Sequence, residues 1–175
     1  MSKTLILGGT KSGKSRLAEQ WANATSRAVS YIATAQAHDD EMAQRIKQHQ
    51  QQRPDNWPTI EQPLYLGDAI NQATTDVVLV DCLTLWLTNL LLAEGDLLTE
   101  QISALLDTLQ TTDKHIIMVS NETNMGVMPL GDLTRRYCDE AGVLHQRIAK
   151  MSDNVILTVA GLPHILKGQL HEQLR

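Results

Sequence analysis

Eight residues near the start of the chain, Gly8-Gly9-Thr10-Lys11-Ser12-Gly13-Lys14-Ser15, constrain the fold more than any other segment. They match the pattern GxxxxGK[ST], and they follow the apolar run Thr4 to Gly8 and open a helically patterned stretch from Ser15 to Thr25. Strand, glycine loop, helix is the context in which this pattern works as a phosphate-binding P-loop. Its glycines allow the backbone to approach a polyphosphate, and amides of the loop and of the helix start then point at the anion. Lys14 is placed to neutralise β and γ oxygens, and the Ser15 hydroxyl to ligate Mg²⁺. An incidental Gly-Lys-Ser in a glycine-rich turn is the competing account, and the flanking elements argue against it.

The rest of the chain agrees with that beginning. Short apolar, β-branched runs recur at Ala28 to Ala33, Val77 to Val80, His115 to Val119 and Val155 to Ala160, each reading as a buried strand. Helical patterning fills the intervals at Asp40 to Gln52, Thr84 to Leu92, Thr99 to Leu109 and Leu133 to Met151. Alternation of this kind predicts an α/β fold with a mainly parallel sheet flanked by helices. A length of 175 residues suits one domain over 1–175. Pro54, Pro58 and Pro63 cluster in one connection, which reads as an ordered crossover. There is no Phe, so the core must come from Leu, Ile, Val, Ala and Met, which suits helices on a parallel sheet.

Charge narrows the partners. A net charge of −5 without a basic run argues against a nucleic-acid footprint, so any anion must be held by local geometry. Cys82 and Cys138 form no CxxC pair, which suggests neither zinc nor a disulfide framework. The apolar start is short, and the stretch from Leu83 to Ala93 is broken by Thr84, Thr88 and Asn89, too short for a membrane span. A cytoplasmic location is expected.

Two further constellations carry chemistry. Val77-Val78-Leu79-Val80-Asp81 ends an apolar strand in a lone acid, as needed for the magnesium shell of a neighbouring P-loop; capping of the next helix is the plainer role for Asp81, and both can hold. At helical spacing, Arg45, His49 and Arg53 form an i, i+4, i+8 row. Flanking cations disfavour imidazolium, leaving His49 neutral and nucleophilic beside groups that can hold phosphate. Periodicity by itself favours the simpler account, a histidine carried on a solvated helix.

Taken in order, these motifs resemble the bifunctional adenosylcobinamide kinase / adenosylcobinamide-phosphate guanylyltransferase family of cobalamin biosynthesis. The resemblance runs through the P-loop, Tyr31-Ile32-Ala33-Thr34, Asp40-Glu41-Met42, Arg45-Ile46, His49, Arg53-Pro54, Trp57 and Glu61. It continues through Asp81-Cys82-Leu83-Thr84-Leu85-Trp86-Leu87, Asn89-Leu90-Leu91, Ser120-Asn121-Glu122 and Ala160-Gly161-Leu162-Pro163. It implies a P-loop fold similar to the RecA-type core and a homo-oligomer. It also implies two reactions: phosphorylation of adenosylcobinamide by ATP or GTP, then transfer of GMP from GTP through a guanylyl-histidine at His49. Under this resemblance the His49 assignment reverses in favour of catalysis. Arg53 would steady phosphates near it, and Thr34 and Glu61 match positions near the nucleotide. Thr123-Asn124 and His145 depart from the family's usual Val-Gly and Asn. Two alternatives stand beside this reading: a small-molecule kinase without nucleotidyl transfer, and a regulatory or assembly ATPase.

Overall fold

The computed structural model describes residues 1–37, 40, 43–44, 54 and 56–174. Seven strands form one sheet: β1 (Lys3–Gly8), β2 (Val29–Ala33), β3 (Thr59–Glu61), β4 (Val77–Asp81), β5 (His115–Asn121), β6 (Asn154–Val159) and β7 (Leu162–Lys167). The helices are α1 (Lys14–Ala24), α2 (Leu66–Gln72), α3 (Leu83–Leu92), α4 (Leu97–Thr111) and α5 (Asp132–Met151), with a 3₁₀ turn at Glu172–Leu174. Strand order is β3-β2-β4-β5-β1-β6-β7, and among the described residues only β6 and β7 pair antiparallel.

The inner strands β1, β2, β4 and β5 read as nearly continuous apolar runs because both faces are covered. Along β1, Leu5 and Leu7 point into the layer shared with α2 to α5, while Ile6 points to the α1 side. In β5 the same alternation sends Ile116 and Met118 one way and Ile117 and Val119 the other. On the α1 side, Leu17, Ala18, Trp21 and Ala22 pack against Ile6, Leu79 and Ile156. The apolar helix α3 belongs to the core: Leu83, Trp86, Leu87 and Leu90 are buried, each burial contributing roughly 1.5 to 3 kcal/mol. The Trp86 indole N–H donates to the Leu64 carbonyl at 2.7 Å, which satisfies its one polar atom.

The structure enlarges the expected sheet from five strands to seven. β3 lies inside the proline-rich connection, and its three residues are too few for a periodic signal. β7 follows β6 through the two-residue turn Ala160-Gly161, both with positive φ (51° and 80°), the geometry of a tight hairpin. Ala at the first turn position and Pro163 within the strand hide this hairpin from sequence reading; proline is tolerated because β7 is a sheet edge. The helix expected over Asp40 to Gln52 falls almost wholly outside the described residues. Among the described residues, no helix is long and apolar enough to cross a membrane.

Candidate active site

β1, β2, β3, β4 and β5 run parallel, so their carboxyl ends share one edge of the sheet, the edge where ligands bind in open α/β sheets. The loop from Gly8 to Ser15 leaves β1 here. Gly8 is the tightest point: a Cβ on it would lie 2.4 Å from Ser12 Oγ and 2.6 Å from the Thr158 carbonyl oxygen. Gly13 has φ of 96°, and a Cβ there would lie 3.2 Å from Gly161 Cα. Lys11, at φ of 56°, marks the exposed tip with Gly9 and Thr10. No side chain caps α1 and its first turn holds no acid, so the amides and positive pole of its N-terminus are open to an anion.

Lys14 is buried and its Nζ donates to the Gly9 carbonyl at 3.0 Å, which curls the ammonium back into the loop. Burial lowers its pKa, with Cys82 and then Asp81 pulling the other way. Ser15, one residue further into α1, is half-buried. The expectation that the Asp81 strand adjoins β1 is corrected: β5 lies between β1 and β4. Asp81 Oδ2 accepts from the Tyr31 hydroxyl at 2.9 Å, which orients the carboxylate from the neighbouring strand β2. Burial and Asp81 together push the Cys82 thiol up to about 11, keeping it protonated.

Thr34 is wholly buried, and its hydroxyl donates to the Cys82 carbonyl at 2.7 Å and accepts from the Cys82 N–H at 2.9 Å. That geometry gives Thr34 the task of holding the turn after Asp81. Asn89, a lone amide within apolar α3, donates to the Thr34 carbonyl at 2.8 Å and the Pro63 carbonyl at 3.1 Å. Glu61 ends β3, paired with Ala33. Four strand spacings separate β3 from β1, about 19 Å at 4.8 Å each, so Glu61 stands beside the β2–β3 crossover and well apart from the P-loop. Arg45, His49 and Arg53 belong to that crossover and lie outside the described residues.

Asn121 and Gly161 also contribute to this edge. Asn121 pairs in register with Gly8, and strand alternation puts its side chain on the α1 face with Ile117 and Val119, between the β1 and β4 ends. The Gly161 N–H donates to the Ser12 carbonyl at 2.9 Å, so the β6–β7 turn braces the outer side of the loop. A polar residue ending a buried strand run was the available signal for Asn121; Gly161 had none, because its partner is remote in sequence.

The donor set suits a hard cation that arrives with phosphate. Ser15 offers a hydroxyl and Asp81 a carboxylate, and among the described residues no cluster of three His, Cys, Asp or Glu exists to hold a metal unaided. Mg²⁺ is commonly held in this way, by one or two protein oxygens plus substrate phosphates. Ser12 Oγ is buried among the described residues without a hydrogen-bond partner, a further polar atom left over beside the glycine cradle.

Fold and loop together define a P-loop nucleotide-binding protein built on a mostly parallel sheet. Residues 4–166 match the family described as Cobinamide kinase / cobinamide phosphate guanyltransferase, and the chain belongs to that family. It is 54% identical over 170 residues to the bifunctional adenosylcobalamin biosynthesis protein CobP of Pseudomonas aeruginosa, covering 95% of this chain and 98% of that protein. It is 36% identical to the bifunctional adenosylcobalamin biosynthesis protein CobU of Escherichia coli, covering 90% and 96%. Among solved structures, a type III secretion system ATPase of pathogenic bacteria is similar with a TM-score of 0.55 at 11% identity, covering 94% of this chain and 56% of that one. The RadB recombinase is similar at 0.52 and 14%, covering 89% and 73%. At such identities the likeness is one of fold.

Proposed function

We propose that this chain carries both reactions of its family on one sheet edge, with the P-loop serving phosphoryl transfer and the β2–β3 crossover serving guanylyl transfer. The observation that carries the proposal is the family match over residues 4–166 on a chain whose buried Lys14 curls into the P-loop beside an uncapped helix start.

In the first reaction the hydroxyl of the aminopropanol arm of adenosylcobinamide forms a bond to the γ-phosphorus of ATP or GTP. The bond from that phosphorus to the β-bridging oxygen breaks, and the nucleoside diphosphate leaves. Amides of Gly9 to Ser15 and the Lys14 ammonium hold the phosphates where charge develops. Ser15 and Asp81 would hold Mg²⁺, which when bound supplies further neutralisation of the β and γ oxygens. In the second reaction an imidazole nitrogen of His49 bonds to the α-phosphorus of GTP and pyrophosphate leaves. A phosphate oxygen of the phosphorylated corrinoid then takes the GMP and frees His49, giving adenosylcobinamide-GDP. Arg53 would steady the phosphates, Glu61 would accept hydrogen bonds from guanine or ribose, and Thr34 would act near the nucleotide by holding the turn after Asp81.

We further propose a cytoplasmic homo-oligomer acting on small molecules, independent of nucleic acid and membrane. Two free, buried cysteines fit a reducing compartment, and exposed Val127, Leu130, Leu162 and Leu166 are apolar surface that an assembly would cover.

Labelling tests the pathway. Protein incubated with GTP labelled at the α-phosphate should retain acid-labile, alkali-stable label, His49→Ala should retain none, and γ-label should leave no such adduct. Absence of label on an active wild-type protein sinks the guanylyl-histidine and leaves a small-molecule kinase without nucleotidyl transfer.

A further inference from the structure

On the sheet face opposite Lys14, a line of hydrogen bonds connects α5 to the end of β5. His145 Nε2 lies 2.8 Å from Ser120 Oγ, Ser120 Oγ lies 3.3 Å from Thr84 Oγ1, and Thr84 Oγ1 accepts the Asn121 backbone N–H at 2.7 Å. His145 Nδ1 stands 4.0 Å from Glu122 Oε2, whose other oxygen accepts the Asn124 N–H at 2.8 Å. Ser120 is fully buried and His145 nearly so.

One assignment of protons is consistent with these contacts. The Asn121 N–H can only donate, so Thr84 Oγ1 accepts and its own proton is available to Ser120; the Ser120 proton then goes to His145 Nε2. The ring proton is left on Nδ1, aimed at the Glu122 carboxylate. The line thus holds the backbone at Asn121 from one buried ring, and the next residue's N–H, that of Glu122, is bonded to the Gly8 carbonyl at 3.0 Å.

We propose that His145 is a positioning residue for phosphoryl transfer: through Ser120 and Thr84 it fixes the backbone of Asn121, whose side chain stands between the P-loop strand and the Asp81 strand. Being buried, it acts through these groups. Its effect reaches the reaction because a displacement of about 1 Å at such a distance costs up to about a hundredfold in rate. The inference rests on the P-loop as the phosphoryl-transfer centre, and nucleotide binding, measured separately with a fluorescent GTP analogue, tells failure of that premise from failure of the inference.

The experiment follows the kinase half-reaction of the full-length protein, with adenosylcobinamide and ATP or GTP, independently of His49. His145→Leu should lower kcat about tenfold with nucleotide KM and analogue affinity within about twofold. His145→Gln, whose amide reaches the Nε2 position, should restore kcat to within about threefold of the parent. Asn121→Ala should lower kcat at least as much, and His145→Leu added to it should cost little more, since both act through one group. Unchanged kcat in His145→Leu, failure of Gln to restore it in a protein that melts like the parent, or additive losses in the double variant would each overturn the proposal. Should His145→Leu not fold, Ser120→Ala breaks the same line with a smaller change and takes its place in the cycle.

Discussion

The two faces of the sheet at its carboxyl edge are built on opposite principles. On the α1 face stand the charged groups Lys14 and Asp81, which bond the Gly9 carbonyl and the Tyr31 hydroxyl respectively. On the other face Thr84, Ser120 and His145 form a buried hydrogen-bonded line, with the Glu122 carboxylate 4.0 Å beyond the ring. The first face leaves a cation desolvated, a cost that bound phosphate offsets; on the second, Ser120, Thr84 and His145 satisfy one another and so gain rigidity. Direct charge contact and positioning are thereby separated across one layer of strands, and substitutions should tell them apart.

The largest effect is expected at Lys14. Lys14→Ala should reduce phosphoryl transfer at least about a hundredfold while leaving the melting temperature equal or higher, because a buried ammonium is removed. A loss of stability in step with activity would break the contrast between the faces. Gly8→Ala comes next: the new Cβ meets Ser12 Oγ and backbone at Thr158, and overpacking of this kind costs roughly 1 to 3 kcal/mol, read from denaturant midpoints together with weakened nucleotide affinity.

The pH dependence of stability sharpens the other face. Burial lowers the His145 pKa against the opposing pull of Glu122, and burial, the N-terminus and Arg27 lower that of His115 against Asp76. With folded values below the ordinary ~6.5, the unfolded chain binds more protons in that window. Stability is therefore full above about pH 6.5 and declines as pH falls toward the folded values. Urea midpoints at stepped pH should show this decline, with His145→Gln flattening one part and His115→Gln another. The smallest signal is chemical: Cys82, buried with its thiol pushed up to about 11, should resist a thiol reagent at pH 8 in native protein and react in denaturant. Ready native labelling of Cys82 would show that the turn after Asp81 opens.

Parts of this arrangement were legible residue by residue. The pattern at Gly8 to Ser15, the runs that became β1, β2, β4, β5 and β6, and the acid at position 81 are signals carried within a few residues. Where reading failed, the cause was physical: β3 is three residues long, β7 hides behind an Ala-Gly turn and an edge proline, and α2 is only seven residues. Thr34 offered a matching position, yet its hydroxyl is held by Cys82, 48 residues away in sequence.

By itself the sequence determined the α/β class, the phosphate loop and the family, because periodicity, glycine placement and motif spacing are properties of the chain in one dimension. Tertiary structure alone decided that β5 separates the P-loop strand from the Asp81 strand, that Gly161 braces the loop, and that a histidine in α5 reaches Ser120. Those facts depend on which surfaces meet when the strands order themselves, and hydrogen bonds between elements far apart in sequence leave no periodic trace along the chain.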